Sequence, residues 1–101
     1  MVNDNIQILG LEKFDEKEQE KIVEFSESYY EKINRKIEGS LILHAKKHHK
    51  DGGRCMYSFH AKVQFPDGDL TVNGDDWILS TALHKTLKKV ENHIDHKYKT
   101  N

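Results

Sequence analysis

Ile6, Ile8 and Leu9 form a short apolar run that stops at Gly10, which reads as a brief first strand. Phe14-Asp15-Glu16-Lys17-Glu18 follows as a helix start: Asp15 and Glu18, three residues apart, carry a capping-box signature, with Phe14 placed to staple against the first turn. Ile22, Phe25, Tyr29, Ile33 and Ile37 then recur at spacings of three and four, predicting an amphipathic helix of about six turns that stops at Gly39. Past Ser40 the period drops to two. Leu41, Leu43 and Ala45 alternate with Ile42, His44 and Lys46, and the turn-rich Lys50-Asp51-Gly52-Gly53 ends that strand. Cys55, Tyr57, Phe59, Ala61, Val63 and Phe65 then alternate with Met56, Ser58, His60, Lys62 and Gln64, the pattern of an antiparallel strand with one wet face. Pro66-Asp67-Gly68-Asp69 is a hairpin turn. Leu70-Thr71-Val72 returns as a short strand closed by Asn73-Gly74, and Asp75 and Asp76 are placed to cap a last helix. That helix carries the stripe Leu79, Leu83, Leu87, Val90 and Ile94, widened by Ala82 and Thr86.

The predicted fold is α+β in the order β-α-β-β-β-α: a four-stranded, mostly antiparallel sheet whose single apolar face is covered by both helices. The 101 residues suit one domain over 1–101. Charged residues make up 33% of the chain and mean hydropathy is −0.83, but nine aromatics and clean periodicity exclude disorder. Cys55 is the one cysteine, so no internal disulfide framework exists, and a lone thiol suits a reducing compartment. No apolar run approaches ~18 residues, and no basic segment followed by an apolar one opens the chain, so a cytoplasmic location without a membrane is expected.

Charge is partitioned along the chain. Residues 1–39 hold ten acidic against six basic side chains, and residues 40–101 hold seven against ten, together with all seven histidines. The polar face of the sheet should show His44, Lys46, His48, Met56, Ser58, His60, Lys62 and Gln64, with Lys47, Lys50 and Arg54 near the hairpin, and acidic residues only in the connections. Such a face suits phosphate backbones, with little dependence on base identity. No phosphate-binding loop or nucleophile elbow is visible, and Cys55 falls on the apolar strand face, where burial is expected, so no catalytic residue is assigned. The histidines match none of the familiar zinc spacings, so neither metal nor cofactor is expected.

With its β-α-β-β-β-α order and the stretch Gly74-Asp75-Asp76-Trp77-Ile78-Leu79-Ser80-Thr81-Ala82-Leu83-His84-Lys85-Thr86-Leu87-Lys88-Lys89-Val90-Glu91, the chain resembles the ribosome hibernation-promoting factors and ribosome-associated inhibitors, related to the sigma-54 modulation proteins. Asp76-Trp77 stands for that family's acidic-aromatic pair and Lys97-Tyr98-Lys99 for its lysine-rich tail. The resemblance implies a double-stranded-RNA-binding-like fold and a non-enzymatic factor. Such a factor docks on ribosomal RNA of the small ribosomal subunit, where messenger and transfer RNA pass, and inhibits translation or promotes hibernation under stress. It further implies RNA contacts by Lys85, Lys88 and Lys89 of the last helix and by Lys46, Lys47, Arg54 and Lys62 of the strands. The glutamate-rich first helix would face solvent or a basic ribosomal protein. Two other readings stay open: a stand-alone double-stranded-RNA-binding module, and a histidine-based metal protein that zinc analysis would separate from both. Oligomeric state is open.

Overall fold

The computed structural model describes residues 5–36, 38–66 and 68–97. Ile37 of the helix stripe, Asp67 of the turn, and Tyr98 and Lys99 of the tail lie outside the described residues. The elements run β1 (Ile6–Leu9), a 3₁₀ turn, α1 (Glu16–Lys36), β2 (Ser40–His49), β3 (Cys55–Phe65), β4 (Gly68–Asp76) and α2 (Leu79–Lys97). Sheet order is β1-β2-β3-β4, with β1 parallel to β2 and the other pairs antiparallel. The α+β fold, its β-α-β-β-β-α order and the mostly antiparallel four-stranded sheet are as the periodicities predict.

The capping box forms at the head of α1. The Asp15 N–H donates to Glu18 Oε1 at 3.0 Å, and the Glu18 N–H donates to Asp15 Oδ1 at 2.8 Å. Ile22, Tyr29 and Ile33 are buried, joined by Tyr30, whose hydroxyl donates to the Gly39 carbonyl and ties the end of α1 to the entry of β2. On the sheet, Leu41, Leu43 and Ala45 of β2 stand opposite Val63, Ala61 and Phe59 of β3. These residues merge with Leu83, Leu87, Val90 and Ile94 of α2 into one buried cluster. Tyr29 OH and His84 Nδ1, 2.6 Å apart, clasp the two helices.

β4 is longer than expected, and the difference has a physical cause. Asn73-Gly74 reads as a turn, yet the strand continues to Asp76, with Gly74 opposite Phe59. A Cβ on Gly74 would lie 2.6 Å from Thr86 Oγ1, so the missing side chain lets α2 lie against the strand. Asp75 and Asp76 are therefore strand residues and not the caps of α2. Asp76 still closes the turn into the helix, its Oδ1 accepting the Ile78 N–H at 3.1 Å.

Candidate nucleic-acid interface

The alternation of β2 and β3 leaves the face opposite the helices open, and their register sets its rows. His44 faces His60, Lys46 faces Ser58, His48 faces Met56, and Lys62 stands opposite Ile42. His44, Lys46 and His48 are exposed. The longer β4 alters the expected composition of this face. Asp69 and Asp75 are register partners of Gln64 and Ser58, so carboxylates do reach it. Asp69 lies 3.8 Å from Lys62. The strand positions of the face without acids are thus those of β2, His44, Lys46 and His48, with Lys50, Asp51 and Arg54 beyond them at the hairpin end.

Lys47 does not join that surface. It follows the odd-numbered parity of Leu41, Leu43 and Ala45, so its side chain lies on the helix side, only 15% exposed, with Nζ 2.9 Å from Glu18 Oε1. The Tyr57 hydroxyl donates to Glu18 Oε2 at 2.9 Å, and the ammonium lies 5.9 Å and 5.8 Å from the Phe14 and Tyr57 ring centroids. Partial burial pushes the Glu18 carboxyl up, but hydrogen bonds from Lys47, the Asp15 N–H and Tyr57 outweigh it and hold the group below the usual carboxylate range. Its partner responds in kind: the hydrogen bond to Glu18 raises the Lys47 ammonium.

Because the folded-state value of Glu18 is depressed, its stabilisation is complete at neutral pH and is lost as pH falls through that value. Glu18→Gln should cost about 1–2 kcal/mol at neutral pH, since it leaves Lys47 half-satisfied. The gap to the native chain should narrow between neutral pH and an acid pH below the usual carboxylate range. Urea melts at both pH values check this. An equal gap at both would assign the cost to shape and not to charge.

The lysines of α2 divide. Lys85 Nζ lies 2.8 Å from Asp76 Oδ2 and 3.3 Å from the Asp75 carbonyl, and Lys89 Nζ donates to the Asn73 carbonyl at 2.6 Å. One helical turn apart, they reach alternate carbonyls of the edge strand β4 and occupy acceptors that a foreign strand would otherwise use. The Lys85 hydrogen bond, followed by that from Ile78, lowers the Asp76 carboxyl. Lys85 and Lys89 line an open cleft of about 280 Å³ with Ser58, His60 and the acid Asp75, which joins the lysine-bearing side of α2 to the sheet face. Lys88 instead lies on the α1 side of the helix, 3.3 Å from Glu91 Oε1 and within electrostatic reach of Tyr29. The candidate residues therefore form one surface of Lys46, Arg54, Lys62, Lys85 and Lys89, with Lys47 and Lys88 apart from it.

At the hairpin end one residue departs from the sequence reading and one contact was missed by it. Cys55 is half-buried and not enclosed, with Sγ 3.4 Å from His49 Nδ1. Trp77 is 43% exposed, and the Arg54 guanidinium lies 4.1 Å from its ring centroid. The signal for the pair was a tryptophan outside the apolar stripe of α2. As for metals, no group of three or more His, Cys, Asp or Glu side chains comes together to hold one among the described residues. Nor is any described helix long and apolar enough to cross a membrane.

The molecule thus belongs to the class of α+β proteins with one mixed four-stranded sheet, two helices closing one face, and a polar, cation-bearing face left open. Within that class it shares the fold of the Protein Y N-terminal domain from Thermus thermophilus, with a TM-score of 0.63 and 14% identity. The likeness covers 95% of this chain and 99% of that one. At this identity it is a likeness of fold. No family model and no curated protein matches the chain by sequence.

Proposed function

We propose that this chain is a ribosome-associated factor of the cytoplasm that docks on ribosomal RNA of the small subunit and inhibits translation, or promotes hibernation, under stress. The observation that carries the reading is the open, cation-bearing surface of Lys46, Arg54, Lys62, Lys85 and Lys89 on a fold whose other face is closed by two helices, one of them glutamate-rich. Phosphates are drawn to the first and repelled by the second, which gives the molecule one way round on an RNA surface. The fold shared with Protein Y is also the one that the resemblance to hibernation-promoting factors implies. The factor acts by occupying its site, without catalysis. A double-stranded-RNA-binding module would bring the start of its last helix to phosphates, and here Asp75 and Asp76 stand just ahead of that end.

The test is sedimentation with purified small subunits, coupled to cell-free translation. The chain should pellet with the subunits at low salt, slow translation, and be released as salt rises, because each neutralised phosphate frees counterions on binding. A chain that stays at the top of the gradient at low salt, or pellets equally at all salt concentrations, would remove the reading.

A further inference from the structure

We propose that Trp77, backed by Arg54, is a stacking platform for an unpaired nucleobase of single-stranded RNA. This deepens the reading above and rests on it. Trp77 is the one tryptophan of the chain. It immediately follows the last residue of β4, one step past the Tyr57–Asp76 pair, where the ladder ends. Arg54 immediately precedes β3, so the two meet at the same end of the sheet from separate strands. The guanidinium lies 4.1 Å from the ring centroid, and Trp77 as a whole is still 43% exposed. Ile78 beside it is 59% exposed. The core does not use this ring.

A nucleobase fits this patch better than a protein does. The exposed apolar surface amounts to one ring and one aliphatic side chain, whereas a protein interface needs a wider apolar centre with charge kept to its rim. Here the cation lies on the ring itself. Aromatic rings interleaved with Arg and Lys are the arrangement that single-stranded RNA uses, bases on the rings and phosphates on the cations. Lys50 and the exposed His48 continue the row toward Lys46. The nearest carboxylate in sequence, Asp76, is already taken by Lys85 and the Ile78 N–H. Asp51 and Asp75 are the other acids at this end: Asp51 lies in the β2–β3 connection and Asp75 stands on the open face opposite Ser58.

The single tryptophan makes the test direct. The full chain is titrated with a short single-stranded oligoadenylate and, in parallel, with inorganic polyphosphate, which has the charge but no bases. Oligoadenylate should quench the Trp77 emission, and polyphosphate should bind without quenching. Trp77→Ala should weaken oligoadenylate and small-subunit binding by roughly ten- to a hundredfold and leave polyphosphate affinity unchanged, while Trp77→Phe keeps most of the binding. Circular dichroism should be unchanged in both variants, since the ring is outside the core. Binding of oligoadenylate with unchanged emission, or equal small-subunit pelleting with and without Trp77, overturns the platform and leaves the RNA reading standing. Subunit binding that needs Trp77 while oligoadenylate leaves its emission unchanged also overturns it, and assigns the patch to a protein. Failure to bind oligoadenylate, polyphosphate and subunits alike overturns both.

Discussion

Replacing Lys46 and Lys62 together with glutamate should lower affinity for small ribosomal subunits by about ten- to a hundredfold and flatten its salt dependence by roughly two units of log–log slope. Both lie on the open sheet face, where no core contact depends on their charge, and the only ion pair they form among the described residues is the loose, solvent-screened one between Lys62 and Asp69. The matched control is Lys17→Glu with Lys21→Glu, which makes the same change in net charge at exposed positions of α1. Because that helix already carries Glu16, Glu18, Glu20 and Glu24, phosphates are held off it, and the control should bind within a few-fold of the native chain. Pelleting across a salt series separates the two pairs. Equal losses would make binding a matter of net charge alone and would deny the sheet face its role.

Lys85 and Lys89 are poor choices for the same experiment, although the resemblance points to them. A glutamate at either position places a carboxylate against the β4 carbonyls and, at Lys85, beside Asp76. Lost binding would then be confounded with a loosened edge strand. Lys88 gives a sharper contrast. It lies on the α1 side of α2 next to Glu91, so the geometry separates it from Lys85 and Lys89 despite their shared sequence cluster.

What could be read without coordinates was whatever is local. Asp15 and Glu18 sit within one turn, so their reciprocal bonds follow from spacing; the further use of Glu18 by Lys47 and Tyr57 joins residues 29 and 39 positions away and leaves no local trace. The side taken by Lys47 was legible, because the parity of Leu41, Leu43 and Ala45 continues to it, yet a lysine at the end of a strand reads as solvated. Gly74 misled for a better reason. Asn-Gly is a strong turn signal, whereas here the glycine makes room for Thr86 of α2, twelve residues further on. Extending β4 past Gly74 carried Asp75 onto the open face, and its earlier start at Gly68 carried Asp69 there, so a strand read too short at both ends changed the expected charge of the candidate site. Trp77 and Arg54, 23 positions apart, meet only once the β2–β3 hairpin and β4 are in register.

That register also fixes the position least tolerant of change. Phe59 is fully buried at the centre of β3, between Ala45 on β2 and Gly74 on β4. One large ring is flanked by the smallest residues available on either side, and α2 closes over the group through Thr86. A ring seated in a gap made for it cannot be deleted cheaply, because neither neighbour has a side chain that can move in. Phe59→Ala should cost about 3–5 kcal/mol, a large share of the roughly 5–15 kcal/mol that holds a domain of this size together. Thermal midpoints should drop by ~12 °C or more. Phe59→Leu, which refills most of the gap, should cost about 1 kcal/mol. His60→Ala, one residue on and on the opposite face, should stay within about 0.5 kcal/mol of the native chain. The order of the three melting curves reads the strand's facing directly: a one-residue slip would exchange the behaviour of positions 59 and 60, so a stable Phe59→Ala beside an unfolded His60→Ala would reverse both faces of the sheet and move the basic surface with them.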